Sequence, residues 1–156
     1  MQIIKNREIT RTAWLPDRST QQANSSQRIF PLDSWLEQLD FFRTGERSEP
    51  LPGVMLQPDA NPELLKEWLT KIPVIAINVE NFADGRVYSL AFELRQFYGY
   101  AAEIRAIGAI YDNLSMLEQC GFDAFVLQGG LSAEEAIGYF NEIEFDYSLW
   151  KPDSPD

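Results

Sequence analysis

The chain has 156 residues, 45% apolar and 24% charged, proportions of an ordinary globular protein able to bury a core without metal or disulfide staples. It contains no histidine and one cysteine, which excludes His-based triads, imidazole bases, His-ligated zinc or haem, an intrachain disulfide and a CxxC redox pair. Net charge is −11, all of it arising after residue 52, and that sign argues against nucleic acid or an anionic membrane as partner.

Residues 1–52 carry seven charges of each sign, and residues 53–156 carry six basic and seventeen acidic groups. The acidic excess reads as a solvated surface or as a steering field for a basic protein partner. No apolar run approaches the length of a membrane span, and Met1–Thr12 lacks the basic-then-apolar order of a signal peptide. With a lone cysteine as well, the expected compartment is a reducing cytoplasm.

Three segments are expected: an irregular N-terminal segment with one helix (1–52), an α/β core (53–146) and an acidic tail (147–156). Ile3–Thr10 suggests a short strand, and Pro16–Gln27 is a polar loop. Pro31–Phe42 predicts a helix, with Leu32, Trp35, Leu36 and Leu39 at three- and four-residue steps. From Gly53, short apolar runs at Gly53–Gln57, Val74–Val79, Ile104–Gly108 and Ala124–Gln128 read as strands covered on both faces.

Amphipathic helices are expected between and after them. The first has Asn61 as N-cap, Pro62 at its first position and Leu64, Leu65, Trp68 and Leu69 inward. The second buries Val87, Leu90, Ala91, Leu94 and Tyr98 and stops at Gly99. The third has Ile110, Leu114 and Leu117 inward and ends at Cys120 with Gly121 as left-handed cap. The fourth opens with Ser132 and Glu135 as a capping box and buries Ala136, Ile137, Phe140 and Ile143. Four strand–helix units with right-handed crossovers predict a mostly parallel sheet. An open layered α/β sheet is favoured over a (βα)4 half-barrel, and open edges suggest a homodimer.

Ligands of parallel α/β folds gather at the carboxyl ends of the strands. The richest loop there is Glu80-Asn81-Phe82-Ala83-Asp84-Gly85-Arg86. Asp84 and Gly85 suit a helix N-cap and a tight turn. Arg86 in a first helical turn opposes the dipole, so it pairs with Asp84 or Glu80 or holds an anion. Arg105 inside a parallel strand likewise pairs with Glu103, Asp84 or Asp112, or joins Arg86 in binding an anion, with Gly85 and Ser89 beside them. Along the same helix Tyr88, Phe92 and Arg95 form a second stripe, either core or partner interface. Cys120 reads as a structural thiol, and Gly129-Gly130 is only a weak phosphate-loop candidate. No metal ligand set is apparent.

Phe82-Ala83-Asp84-Gly85-Arg86-Val87-Tyr88-Ser89-Leu90-Ala91, then Glu103-Ile104-Arg105-Ala106-Ile107-Gly108, then Gln119-Cys120-Gly121-Phe122-Asp123-Ala124-Phe125 resemble a bacterial family. Its members are described as uncharacterised proteins or as oxidoreductases of sulfite reduction, encoded beside assimilatory sulfite reductase. The resemblance spans about residues 28–130. Asp84, Gly85, Arg86, Tyr88, Ser89, Arg105, Gly108, Asp112, Cys120, Gly121 and Asp123 match the family pattern. Ala101-Ala102, Ala109 and Gln119 depart from it. Ala109 stands where the family has an acid, removing a carboxylate from the expected ligand rim.

The resemblance implies a role in sulfur assimilation, with sulfite reductase or another protein of that process as partner. Whether the chain is an enzyme stays open. It is expected to be an accessory protein that binds a partner or a small anion, with no cofactor of its own. The alternative is an enzyme or oxidoreductase with an unrecognised bound cofactor, Asp84 or Asp112 then being the acid/base candidates.

Overall fold

The computed structural model describes residues 1–16, 27–39 and 51–142. The remainder of the expected loop at Pro16–Gln27, the end of the helix expected to reach Phe42, Ile143 and the tail at 147–156 lie outside them. The strands are β1 (Gln2–Lys5), β2 (Glu8–Arg11), β3 (Leu15–Pro16), β4 (Arg28–Pro31), β5 (Gly53–Leu56), β6 (Val74–Asn78), β7 (Glu103–Ala109) and β8 (Ala124–Leu127). The α-helices are α1 (Leu32–Glu37), α2 (Arg86–Gln96), α3 (Leu114–Cys120) and α4 (Ala133–Glu142), with 3₁₀ helices at Pro62–Trp68 and Tyr111–Asn113.

All eight strands form one sheet in the order β2-β1-β8-β7-β6-β5-β4-β3. From β3 to β8 every neighbour is parallel, whereas β1 pairs antiparallel with both β2 and β8. The parallel strands sit in chain order, without the reversal that puts helices on both faces of a doubly wound sheet. The helices accordingly share one face: Val54, Leu56, Ile75, Ile77, Ile104 and Ala106 pack with Trp35, Leu65, Leu90, Leu94, Leu117 and Phe140. The opposite face carries Ile29, Val74 and Ala76 with Trp14, Met55 and Ile107 and no helical residue.

This corrects the preference for an open layered sheet. The sheet curls as a half-barrel, with antiparallel pairs and more than four βα units. Chain connectivity shows why it must curl. Only Thr12–Trp14 separate β2 from β3, which end the sheet on opposite sides. Four residue steps reach at most about 14 Å, whereas seven interstrand spacings in a flat sheet would span about 33 Å. β5 and β6 are apolar on both faces along most of their length because Trp14, in place of a helix, covers their concave side.

Several elements depart from the periodicity. The segment after Asn61 is a 3₁₀ helix, in which residues three apart share a face; Pro62 and Leu65 are buried while Leu64 turns out to solvent. Its N-cap is as expected, with the Glu63 amide donating to Asn61 Oδ1 at 3.1 Å. Ile3–Thr10 is a hairpin, β1 and β2, turning through Asn6 and Arg7, both with positive φ. Gly121 follows α3 with φ +121° as the positive-φ cap. Ser132 Oγ accepts the Glu135 amide at 3.3 Å at the start of α4.

Candidate functional site

The Glu80–Arg86 loop is built by short side chains that accept amides. The Ala83 amide donates to Asn81 Oδ1 at 3.2 Å and the Asp84 amide to the Asn81 carbonyl at 3.0 Å, an Asx turn leading into α2. Asp84 then takes three donors from Arg86: the amide at 3.1 Å, Nε at 3.0 Å and Nη2 at 2.7 Å. The hydrogen bonds from Arg86 hold the Asp84 carboxyl below its ordinary range, and Asp84 holds the Arg86 guanidinium above its own. Gly85 has φ −69° and open space where a Cβ would stand, so the expected glycine-dependent turn is absent.

Arg86 is thus a paired surface cation. It shares a shallow depression with Pro58, Asp59, Ser89 and Glu93, where the two further carboxylates oppose an anion. Arg105 lies elsewhere. It is 1% exposed on the concave face, donating from Nε to Glu103 at 2.7 Å, from Nη1 to the Trp14 carbonyl at 3.2 Å and from Nη2 to Thr12 Oγ1 at 2.9 Å. Lys5 completes the group, 3.0 Å from Glu103. The expected common rim of Arg86 and Arg105 is therefore not formed: burial has forced Arg105 into its neighbouring carboxylate and two N-terminal acceptors, leaving it no face toward solvent.

The other candidates disperse. Asp112 is exposed in the second 3₁₀ helix. Ala109 is wholly buried among the helix-facing residues, so a carboxylate there would not stand on an open rim. At the start of α4, after Gly129-Gly130, Ser132 Oγ donates to Glu134 at 3.0 Å, so the helix's own carboxylate occupies its first turn. Arg95 leaves the expected stripe altogether, donating to the carbonyls of Gly121, Tyr100 and Ala102 at 3.0, 2.9 and 2.6 Å. A groove remains between α2 and α3, lined by Tyr88, Ser89, Phe92, Glu93, Phe97 and Cys120. Phe92 is 50% exposed and Phe97 80%. Cys120 is half-buried, and burial pushes its thiol up from the ordinary value, which makes it a poor nucleophile.

A further cavity, of about 370 Å³, opens on the concave face at the carboxyl ends of β4, β5 and β6. Its walls are Pro16, Ile29, Pro31, Met55, Ala76 and Ile107, with Gln57, Asn78 and Glu80 at the polar edge. Asn78 Nδ2 donates to Gln57 Oε1 at 3.0 Å, and Asn78 Oδ1 accepts the Glu80 amide at 3.0 Å. Gln57 and Asn78 did not figure among the candidates from sequence, and Glu80 figured only as the start of the rim loop and a partner for Arg86. The available signal was the period of two in each strand, which sets Gln57 on the face of Met55, and Asn78 on that of Ala76.

The family model of DUF934, bacterial proteins of unknown function, matches residues 53–152. No curated protein and no solved structure matches the chain.

Proposed function

The chain belongs to DUF934, a bacterial family of unknown function, and we propose that it serves assimilatory sulfate or sulfite reduction as an accessory protein. In this reading it acts by docking to sulfite reductase or another protein of that process. The sulfur-assimilation setting comes from the resemblance carried by the motifs at Phe82–Ala91, Glu103–Gly108 and Gln119–Phe125. The observation that supports docking is the outward face of α2. The Asx turn and the Asp84–Arg86 fork fix the loop that opens the helix, Phe82 on that loop is 64% exposed, and Phe92 and Phe97 follow along the groove. Exposed aromatics on a rigid element are the usual anchors of a protein interface.

The anion form of this reading is weaker, since Arg86 is paired and Arg105 is internal. Purified sulfite reductase titrated against the protein by sedimentation or interferometry tests the docking form. Binding is expected for the wild type, with a loss of at least about tenfold for Phe92→Glu or Phe97→Glu. No binding, or equal binding by both variants, would remove it. A second reading, an enzyme or oxidoreductase with a bound cofactor, is favoured by the cavity at the strand ends. An absorption band in the near-ultraviolet or visible spectrum of the purified protein would bring that reading forward.

A further inference from the structure

The concave cavity has features that a gap left by packing would not require. First is its place: parallel strands present their carboxyl ends there, and the inward residues change from apolar to polar at that level, Met55 to Gln57 and Ala76 to Asn78. Second is the close backbone approach beside it. Gly108 has φ +90°, and a Cβ on it would stand 2.3 Å from Glu80 Cγ. The pairing of β7 with β8 slips between Ile107 and Ala109 at this point. A bulge at a strand end redirects nearby groups, and the bare glycine lets the Glu80 stem lie against β7. The backbone of Glu80 is held on both sides, by its amide on Asn78 and by its carbonyl, which accepts Gln128 Nε2 at 3.1 Å.

Third is the hydrogen-bonding balance of the edge. Asn78 bonds to Gln57 and to the Glu80 amide, and these fix its amide orientation. Gln57 Oε1 accepts from Asn78, which leaves the Gln57 NH₂ as the free group, a donor. The Glu80 carboxylate makes no hydrogen bond or ion pair among the described residues. The edge therefore offers one anionic acceptor and one neutral donor, and the described lining contains no cation.

We propose that this cavity binds a small molecule with an apolar body and a cationic head, the body against Met55 and Ile107 and the head on Glu80, with the Gln57 NH₂ left for an acceptor. The volume falls within the range of small-molecule sites. Sulfite, sulfate and phosphate are the wrong class for it, because Glu80 and the net charge of −11 oppose them and nothing in the lining compensates. The site is on the face opposite the helices and is independent of the docking face on α2.

Benzamidine and benzoate, nearly equal in shape and opposite in charge, provide the test. Each is titrated into the full chain while methyl NMR signals of Met55 and Ile107 are followed, with sulfite as a third probe. Benzamidine is expected to move both signals saturably, and benzoate and sulfite to leave them in place. Glu80→Gln, at an exposed position, should weaken benzamidine about two- to fivefold, a range set by the solvent access of the carboxylate. Met55→Trp, which fills the body of the cavity, should abolish the response while the rest of the spectrum stays native. No response to benzamidine, an equal response to benzoate, or benzamidine binding indifferent to both substitutions would overturn the proposal.

Discussion

Two guanidiniums in this chain each pair with a carboxylate two positions earlier, and burial decides what each pair does. Asp84–Arg86 is a surface fork, with Arg86 63% exposed, whereas Glu103–Arg105 is almost wholly enclosed. The surface pair is screened by solvent and salt, so its contribution is local order more than global stability. Its pH dependence has a definite sign. Arg86 depresses the Asp84 carboxyl, so the pairing is fully present above the unfolded carboxyl value and is lost only as pH falls through the lower, folded one. The Arg86 Nε–H NMR signal should therefore keep its hydrogen-bonded shift below the ordinary carboxylate range, and Asp84→Ala should remove that shift at every pH. A titration of the Nε–H at the ordinary aspartate value would contradict the fork.

At the scale of elements, Arg95 shows how a residue on the outer side of a helix becomes a clamp. It reaches past the end of α2 to three carbonyls, and it approaches Asp123 at 3.6 Å. Gly121 is matched to it twice, by φ +121° and by a Cβ position only 2.6 Å from Arg95 Cγ. Replacing Arg95 by Met keeps the stem but strips three carbonyls of their donor, and should cost about 2–3 kcal/mol in urea unfolding. A change under about 0.5 kcal/mol, the range of an indifferent surface position, would mean that water replaces the guanidinium without loss.

The helices after Gly53 were legible because their punctuation is local: Asn61-Pro62, Gly99, Gly121 and Ser132 act within one turn of where they stand. The clamp was not, because the acceptors of Arg95 are backbone carbonyls supplied by two separate loops. The N-terminal strands were legible only as one short strand at Ile3–Thr10. β3 has two residues and β4 has four, ending in Pro31, too few for any period to show. The β1–β2 turn uses Asn6-Arg7 in place of the Asn-Gly that announces a tight hairpin. The polar edge at Gln57 and Asn78 was hidden for a related reason: both residues lie inside the runs read as apolar strands, Gly53–Gln57 and Val74–Val79, ahead of the rim loop that begins at Glu80.

For the molecule as a whole, the decisive linkage is the passage of Thr12–Trp14 across the concave face, and Arg105 is its fastening. Trp14 packs with Ile29, Val74, Ala76, Met55 and Ile107, while Thr12 and the Trp14 carbonyl accept from the Arg105 guanidinium. The segment joins the two outer strands of the sheet, so holding it also sets how far the half-barrel opens. Arg105→Met would leave Glu103 buried with only Lys5 beside it and should lower unfolding free energy by about 3–5 kcal/mol. Adding Glu103→Leu should recover part of that loss, since the buried carboxylate that has lost its Arg105 donor is then gone. A merely global effect would accelerate amide exchange everywhere by a similar factor. A fastening predicts more: in Arg105→Met, exchange at Trp14, whose amide donates to Thr12 Oγ1, and along β2 should rise well beyond that of β6. Uniform acceleration across β2, Trp14 and β6 would show that the curl is held by the strands alone.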